Sequence, residues 1–271
     1  MINRILELRR QIRKNQPLIH CITNPISIND CANAVLAVGA KPIMAEHPRE
    51  TAGITEISSA LAVNLGNITD ARMESILISG RTAARMNIPH IIDAVGVTCS
   101  PLRLELAREY IRETTPWIIK GNISEIKKLC GIRENARGID AGEADAVSPG
   151  NISGYAALLQ DYACKTGAVI LASGKIDLIC SPDRTVAVQN GTPMLSRITG
   201  TGCMLNVITG AYLAGKDAFS AAVLGCAVLG VAGELAETTA GTGSFRVALL
   251  DRLYSIADET IREKIKAGEI Q

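Results

Sequence analysis

Short apolar runs alternate with helix-length segments along the first two-thirds of this chain, and no other feature limits its fold as tightly. After a charged leading helix at about 3–14, the runs at 18–22, 42–44, 60–65, 88–93 and 117–120 read as strands. Helices are expected between them at 27–38, 50–58, 70–87 and 101–113. Strands this short and apolar need cover on both faces, and a helix after each one returns the chain for a parallel neighbour. Ser27 followed by Asp30 is a candidate capping box, with Asp in place of the usual Glu or Gln. Residues 131–150 are polar and rich in Gly, Glu and Asp, which predicts a surface loop. A helix at 151–165 and a strand at 169–172 follow. The runs 177–180 and 185–188 flank Pro182-Asp183 and predict a hairpin, hence antiparallel strands at one edge of the sheet. From Thr201 the chain reads as largely helical to its end. With no linker and no internal repeat, residues 1–271 are expected to form one α/β domain.

Charge and composition remove several function classes. Lys and Arg number 28 against 27 Asp and Glu, so nothing offers the basic face that nucleic acid requires. Aromatic residues make up 3%, too few for base-stacking platforms. The eight cysteines include no Cys-x-x-Cys pair, which argues against a zinc ribbon or a disulfide framework and suits a reducing cytoplasm. The amino terminus carries Asn3, Arg4, Glu7, Arg9 and Arg10, unlike a secretory signal. The longest apolar run, 218–233, is shorter than the ~20 residues of a membrane span. It is built of Ala and Gly and reads as a buried helix.

In parallel α/β sheets, ligands bind beyond the carboxyl ends of the strands. Asn24, Met44 to Glu46, Asn64, Gly66, Asp93, Lys120 to Asn122, Ser173 and Gly174 fall at such ends. So does Thr199-Gly200-Thr201-Gly202-Cys203, which runs directly into an apolar helix. Glycines at a helix start leave N–H groups open, and the helix dipole adds positive charge there, so this turn is a candidate anion cradle. On the same grounds, the Cys203 thiolate is expected to be favoured over that of an ordinary cysteine. No P-loop, no Gly-x-Gly-x-x-Gly after the first strand and no Gly-x-Ser-x-Gly elbow is present. His20, His47 and His90 lack partners at metal-ligand spacing and read as structural.

Six short motifs in order carry a resemblance that spans nearly the whole chain. They are His20-Cys21-Ile22-Thr23-Asn24, Lys41-Pro42-Ile43-Met44-Ala45, Asp93-Ala94-Val95-Gly96, Lys120-Gly121-Asn122-Ile123-Ser124-Glu125-Ile126, the turn Thr199 to Cys203, and Gly243-Ser244-Phe245. Together they resemble the hydroxyethylthiazole kinases of thiamine salvage. The resemblance implies a ribokinase-like three-layer αβα fold with a mostly parallel central sheet and an antiparallel edge. It implies phosphorylation of the hydroxyl of 4-methyl-5-(2-hydroxyethyl)thiazole by ATP with Mg²⁺, in a homotrimer whose active sites lie between subunits. Position by position, Met44 and Gly200 would contact the thiazole and Asn24 would border it. Lys120 and Ser173 would contact ATP, in place of the commoner Arg and Thr. Asp93 and Glu125 would place Mg²⁺, directly or through waters, with Ala94 standing where the family usually has proline. The amides of Gly200, Thr201, Gly202 and Cys203 would bind the γ-phosphoryl oxygens, and Cys203 would orient the substrate hydroxyl and take its proton late.

Related ribokinase-type enzymes resemble this turn but carry Asp at the position of Cys203. A kinase for a hydroxymethylpyrimidine, pyridoxal or a sugar is therefore the alternative, and a non-catalytic thiazole-binding module a third reading. A thiol-redox enzyme is disfavoured because Cys203 has no nearby partner in sequence.

Overall fold

The computed structural model describes residues 1–132 and 147–270. The amino-terminal part runs α1 (Ile2–Asn15), β1 (Leu18–Ile22), α2 (Ile28–Ala37), β2 (Lys41–Ile43), α3 (Thr51–Glu56), β3 (Ala60–Asn64), α4 (Asp70–Arg85), β4 (His90–Asp93), α5 (Pro101–Thr114), β5 (Ile118–Asn122) and α6 (Ile123–Leu129). The rest runs α7 (Ile152–Thr166), β6 (Val169–Ser173), β7 (Asp177–Cys180), β8 (Thr185–Val188), a 3-10 turn (Pro193–Arg197), α8 (Thr201–Leu213), α9 (Ala218–Ala236), α10 (Thr242–Ser255), α11 (Asp258–Lys264) and β9 (Ala267–Ile270).

These strands make one sheet in the order β2-β1-β3-β4-β5-β6-β7-β8-β9. Strands β1 to β6 pair in parallel, and β7, β8 and β9 close one edge antiparallel. Because side chains alternate along each strand, the two faces of the sheet bury two separate sets of aliphatic residues. On one face, Ile19, Cys21, Ala62 and Ile91 pack with Val35, Ile208, Tyr212 and Val228 from α2, α8 and α9. On the other, Leu61, Val63, Ile92, Ile119 and Ile170 pack with Ile76, Leu106, Tyr110 and Leu159 from α4, α5 and α7. The result is the expected three-layer αβα arrangement with its antiparallel edge.

Register positions the site. In the parallel ladder, Asn64 of β3 lies beside Asp93 of β4, Asp93 beside Lys120 of β5, and Asn122 beside Ser173 of β6. A row of polar side chains therefore emerges at the carboxyl ends of four adjacent strands.

Several details differ from the sequence reading. Ser27 precedes α2 but forms no capping box: its hydroxyl donates to Asn24 Oδ1 at 3.1 Å, while the Asp30 carboxylate accepts from Arg246 Nε at 3.0 Å. Long-range partners take the groups that a local cap would have used. The capping box forms instead at Asn122 and Glu125. The carboxyl terminus is not wholly helical, since β9 pairs antiparallel with β8. The loop expected at 131–150 falls mostly outside the described residues. Helix α9, at 19 residues, is long and apolar enough to cross a membrane, yet 83% of its apolar window is buried inside the protein.

Candidate active site

Helix α8 starts at Thr201 behind Gly200, whose φ of +90° is a left-handed conformation that a side chain resists. A Cβ there would also sit 2.7 Å from Ser27 Cβ, so the turn is held by glycine for two reasons. The first intrahelical bond runs from the Met204 N–H to the Gly200 carbonyl at 2.8 Å. The N–H groups before it are the orphan donors of a helix start. They face a cavity of ≈ 530 Å³ whose wall also holds Asn24, Asp93, Lys120, Glu125 and Arg103. A second cavity of ≈ 620 Å³ lies alongside, lined by Gly174, Asp177, Leu205, Cys226 and Leu229. Both cavities touch Ser173, Thr201 and Gly202, so the helix start is their common wall.

The strand-end row is tied into one buried network. Asn64 donates to Asp93 Oδ2 at 3.0 Å and to Cys203 Sγ at 3.4 Å, and its Oδ1 accepts from Asn24 Nδ2 at 3.1 Å and the Gly66 N–H at 2.9 Å. Asn24 Nδ2 also reaches Cys203 Sγ at 3.1 Å. The Lys120 ammonium donates to Asp93 Oδ2 at 2.9 Å, with both side chains almost wholly removed from solvent. Burial alone would lower the Lys120 value; the Asp93 charge and hydrogen bond outweigh it and hold the ammonium protonated. Glu125 receives the Gly96 N–H on Oε1 and the Asn122 N–H on Oε2, each at 2.7 Å. Burial and then the neighbouring Asp93 charge push its carboxyl up to about 7, against the pull of those two amides.

Residues 9–259 match the hydroxyethylthiazole kinase family (HK). The chain belongs to the hydroxyethylthiazole kinase family. Hydroxyethylthiazole kinase 2 of Clostridium botulinum is 49% identical over 261 residues, covering 96% of this chain and 98% of that protein. A hydroxyethylthiazole kinase protein from Pyrococcus horikoshii OT3 has a similar structure, with a TM-score of 0.89 at 30% identity and coverage of 99% and 100% of the two chains. A ribokinase-like superfamily protein from Enterococcus faecalis V583 shares the fold, with a TM-score of 0.60 at 14% identity over 91% of this chain and 89% of that one.

Not every residue marked from the hydroxyethylthiazole kinase motifs reaches the cavities. Asn24, Asp93, Lys120, Glu125, Ser173 and Gly200 to Cys203 line them, whereas Met44 lines neither. Met44 follows β2 as a half-buried side chain against the core layer of α2 and α8. Ser173 lies between the two cavities, its Oγ donating to the Gly121 carbonyl at 3.3 Å.

Cys203 corrects one expectation. Burial, and after it the Asp93 charge, push its thiol above the ordinary cysteine value, and contacts to Ser27, Lys120 and Asn24 only partly offset them. The helix-start field does not make this a thiolate. His20 and His90 behave as expected of structural histidines: His20 bridges Thr55 Oγ1 at 2.9 Å and the Ala45 carbonyl at 2.8 Å, and His90 bridges the Ile88 carbonyl and Thr114.

Among the described residues, no group of three or more His, Cys, Asp or Glu is placed to hold an ion. Each Glu125 oxygen accepts one protein donor and so keeps a second lone pair, whereas Asp93 Oδ2 already accepts two, from Asn64 and Lys120. Hard carboxylate oxygens with free lone pairs, those of Glu125 first among them, fit a hydrated Mg²⁺ held through its waters, since that ion keeps several of them. Sequence reasoning passed over Asp177 and Arg103 in these walls. An acid opening an otherwise apolar strand was the available signal for Asp177; nothing local marked Arg103.

Proposed function

We propose that this protein transfers the γ-phosphoryl group of ATP to the hydroxyl of 4-methyl-5-(2-hydroxyethyl)thiazole, for thiamine salvage. The observation that carries the reading is the open helix start of α8, which faces Asp93, Lys120 and Glu125 across one cavity in a chain of this family. Phosphoryl transfer has a loose transition state, so the protein's work is to position the reactants and to neutralise moving charge. The amides of Gly200, Thr201, Gly202 and Cys203 bind the phosphoryl oxygens as charge shifts onto them. Lys120 and Ser173 lie on the nucleotide side. Asn24 and Gly200 border the alcohol. Asp93 and Glu125 would hold Mg²⁺, which when bound would screen the phosphate charge.

A protonated thiol has no place for a second proton, so Cys203 is assigned orientation of the substrate hydroxyl and not the role of base. The alcohol oxygen bonds to phosphorus as the bond to the ADP oxygen breaks. The alcohol proton then leaves through a phosphoryl oxygen or solvent, which a loose transition state permits.

We further propose that the chain works as one domain over residues 1–271, in the cytoplasm, as a homotrimer with shared sites. One continuous sheet and eight free cysteines support the first two. Met44 supports the third: its place outside both cavities of its own chain suits a thiazole contact made to a neighbouring copy. An ADP-release assay with a panel of alcohols tests the reaction. Turnover of the thiazole is expected. Turnover of a hydroxymethylpyrimidine or pyridoxal with none of the thiazole would replace it by a related kinase, and no turnover with no nucleotide-dependent thermal shift by a binding module.

A further inference from the structure

We infer that Arg103 is a phosphate-binding residue of this site, its guanidinium meeting the phosphate chain of the nucleotide. The inference rests on the kinase reading and deepens it. It starts from the charges that face the cavity. Lys120 carries the expected cation, but its ammonium is locked to Asp93 at 2.9 Å with both groups buried, so the pair presents little net charge to a ligand. Glu125 adds a carboxyl. A polyphosphate entering this space therefore needs positive charge from elsewhere on the wall.

Arg103 and Arg197 both line the cavity, and neither forms an ion pair with a carboxylate among the described residues. Arg197 is exposed on the 3-10 turn, where solvent and salt screen it. Arg103 is half-buried in the first turn of α5, and its side chain lies across the turn that follows β4. That turn is shaped around it. Gly96 has φ +81°, and a Cβ built there would stand 2.2 Å from Arg103 Nη1. The same Gly96 N–H binds Glu125 Oε1, so the guanidinium and that carboxylate both pack on one residue of this turn. A planar guanidinium recognises phosphate oxygens through two parallel N–H bonds, which the point charge of the Lys120 ammonium cannot do. Arg103 thus supplies the fork that position 120 lacks.

Titration calorimetry on the full chain with Mg²⁺ tests this, using AMP-PNP, ADP, adenosine and the thiazole phosphate as probes. Arg103→Ala and Arg103→Gln should weaken AMP-PNP by about 10- to 100-fold, the range of a charge-assisted bidentate contact. Adenosine, which has no phosphate, should bind the variants as it binds the natural chain, and Arg103→Lys should recover part of the loss. Unchanged AMP-PNP and ADP affinity overturns the inference, as does equal weakening of adenosine, which would mark a purely structural role. Weakening of the thiazole phosphate alone also overturns it, moving the contact to the product. Failure of the natural chain to bind AMP-PNP at all would instead contradict the kinase reading.

Discussion

Asn64 shows how the site is held at the scale of single residues. Its two amide hydrogens go to Asp93 and Cys203 and its oxygen accepts from Asn24 and Gly66, so all of its main bonding positions are taken while it is fully buried. Such a network fixes the Cys203 sulfur as an acceptor of two amide hydrogens. If Cys203 orients the alcohol without acting as base, Cys203→Ser should keep kcat within a few-fold, whereas Cys203→Ala should lower it by about 10-fold, below the contribution of a true general base. Steady-state kinetics at saturating ATP check both. Asp177 yields a prediction about pH. Burial raises its carboxyl to about 6, with the Gly174 N–H and the Cys226 thiol pulling the other way. The folded value lies above the unfolded one, so the ionised group costs stability above about pH 6, roughly 3 kcal/mol. That cost fades as pH falls through 6 and is gone below the ordinary carboxyl value. Asp177→Asn should therefore melt several degrees higher than the natural chain at about pH 8 and alike at about pH 4. Strand-end residues were legible from the sequence because polarity at the end of an apolar run is a local sign. Their bonding was not, since Asn64 draws partners from three distant segments, and the direction of the Cys203 shift depended on burial that no local pattern displays.

At the scale of elements, the α8 start carries the account. Gly200→Ala would place a methyl 2.7 Å from Ser27 Cβ at a left-handed φ, so it should destabilise the fold by about 1–3 kcal/mol and remove most activity. Gly202→Ala meets nothing nearer than Lys120 Nζ at 3.9 Å and should melt like the natural chain, which separates turn geometry from mere bulk. Chemical denaturation of the two variants makes the comparison. The parallel strands and the β7–β8 hairpin were readable because their aliphatic runs are bounded by Gly, Pro and Asp. Strand β9 was not: Ala267-Gly268-Glu269-Ile270 has no β-branched or aromatic run, and only pairing to β8 makes it a strand. The caps tell the same story. Ser27 and Asp30 have the right letters, but Asn24 and Arg246 claim them, whereas Asn122 and Glu125 form the box even though Glu125 also accepts the Gly96 N–H.

For the whole molecule, one sheet carries two adjoining cavities that share the first turn of α8, so a nucleotide and an alcohol can approach one anion cradle from different sides. Met44 lies outside both, and the proposed trimer would account for that. Light scattering should give three times the chain mass, and mixing Met44→Ala with inactive Gly200→Ala chains should restore some activity, because one shared site in a mixed trimer can regain both natural residues. The most direct test of the central claim is a competition in one tube: ATP, Mg²⁺ and equal amounts of the thiazole alcohol, a hydroxymethylpyrimidine and pyridoxal, read by mass spectrometry. The account predicts the thiazole phosphate as the dominant product, matched one for one by ADP. A pyrimidine or pyridoxal phosphate in its place, with the thiazole alcohol left unchanged, would contradict it.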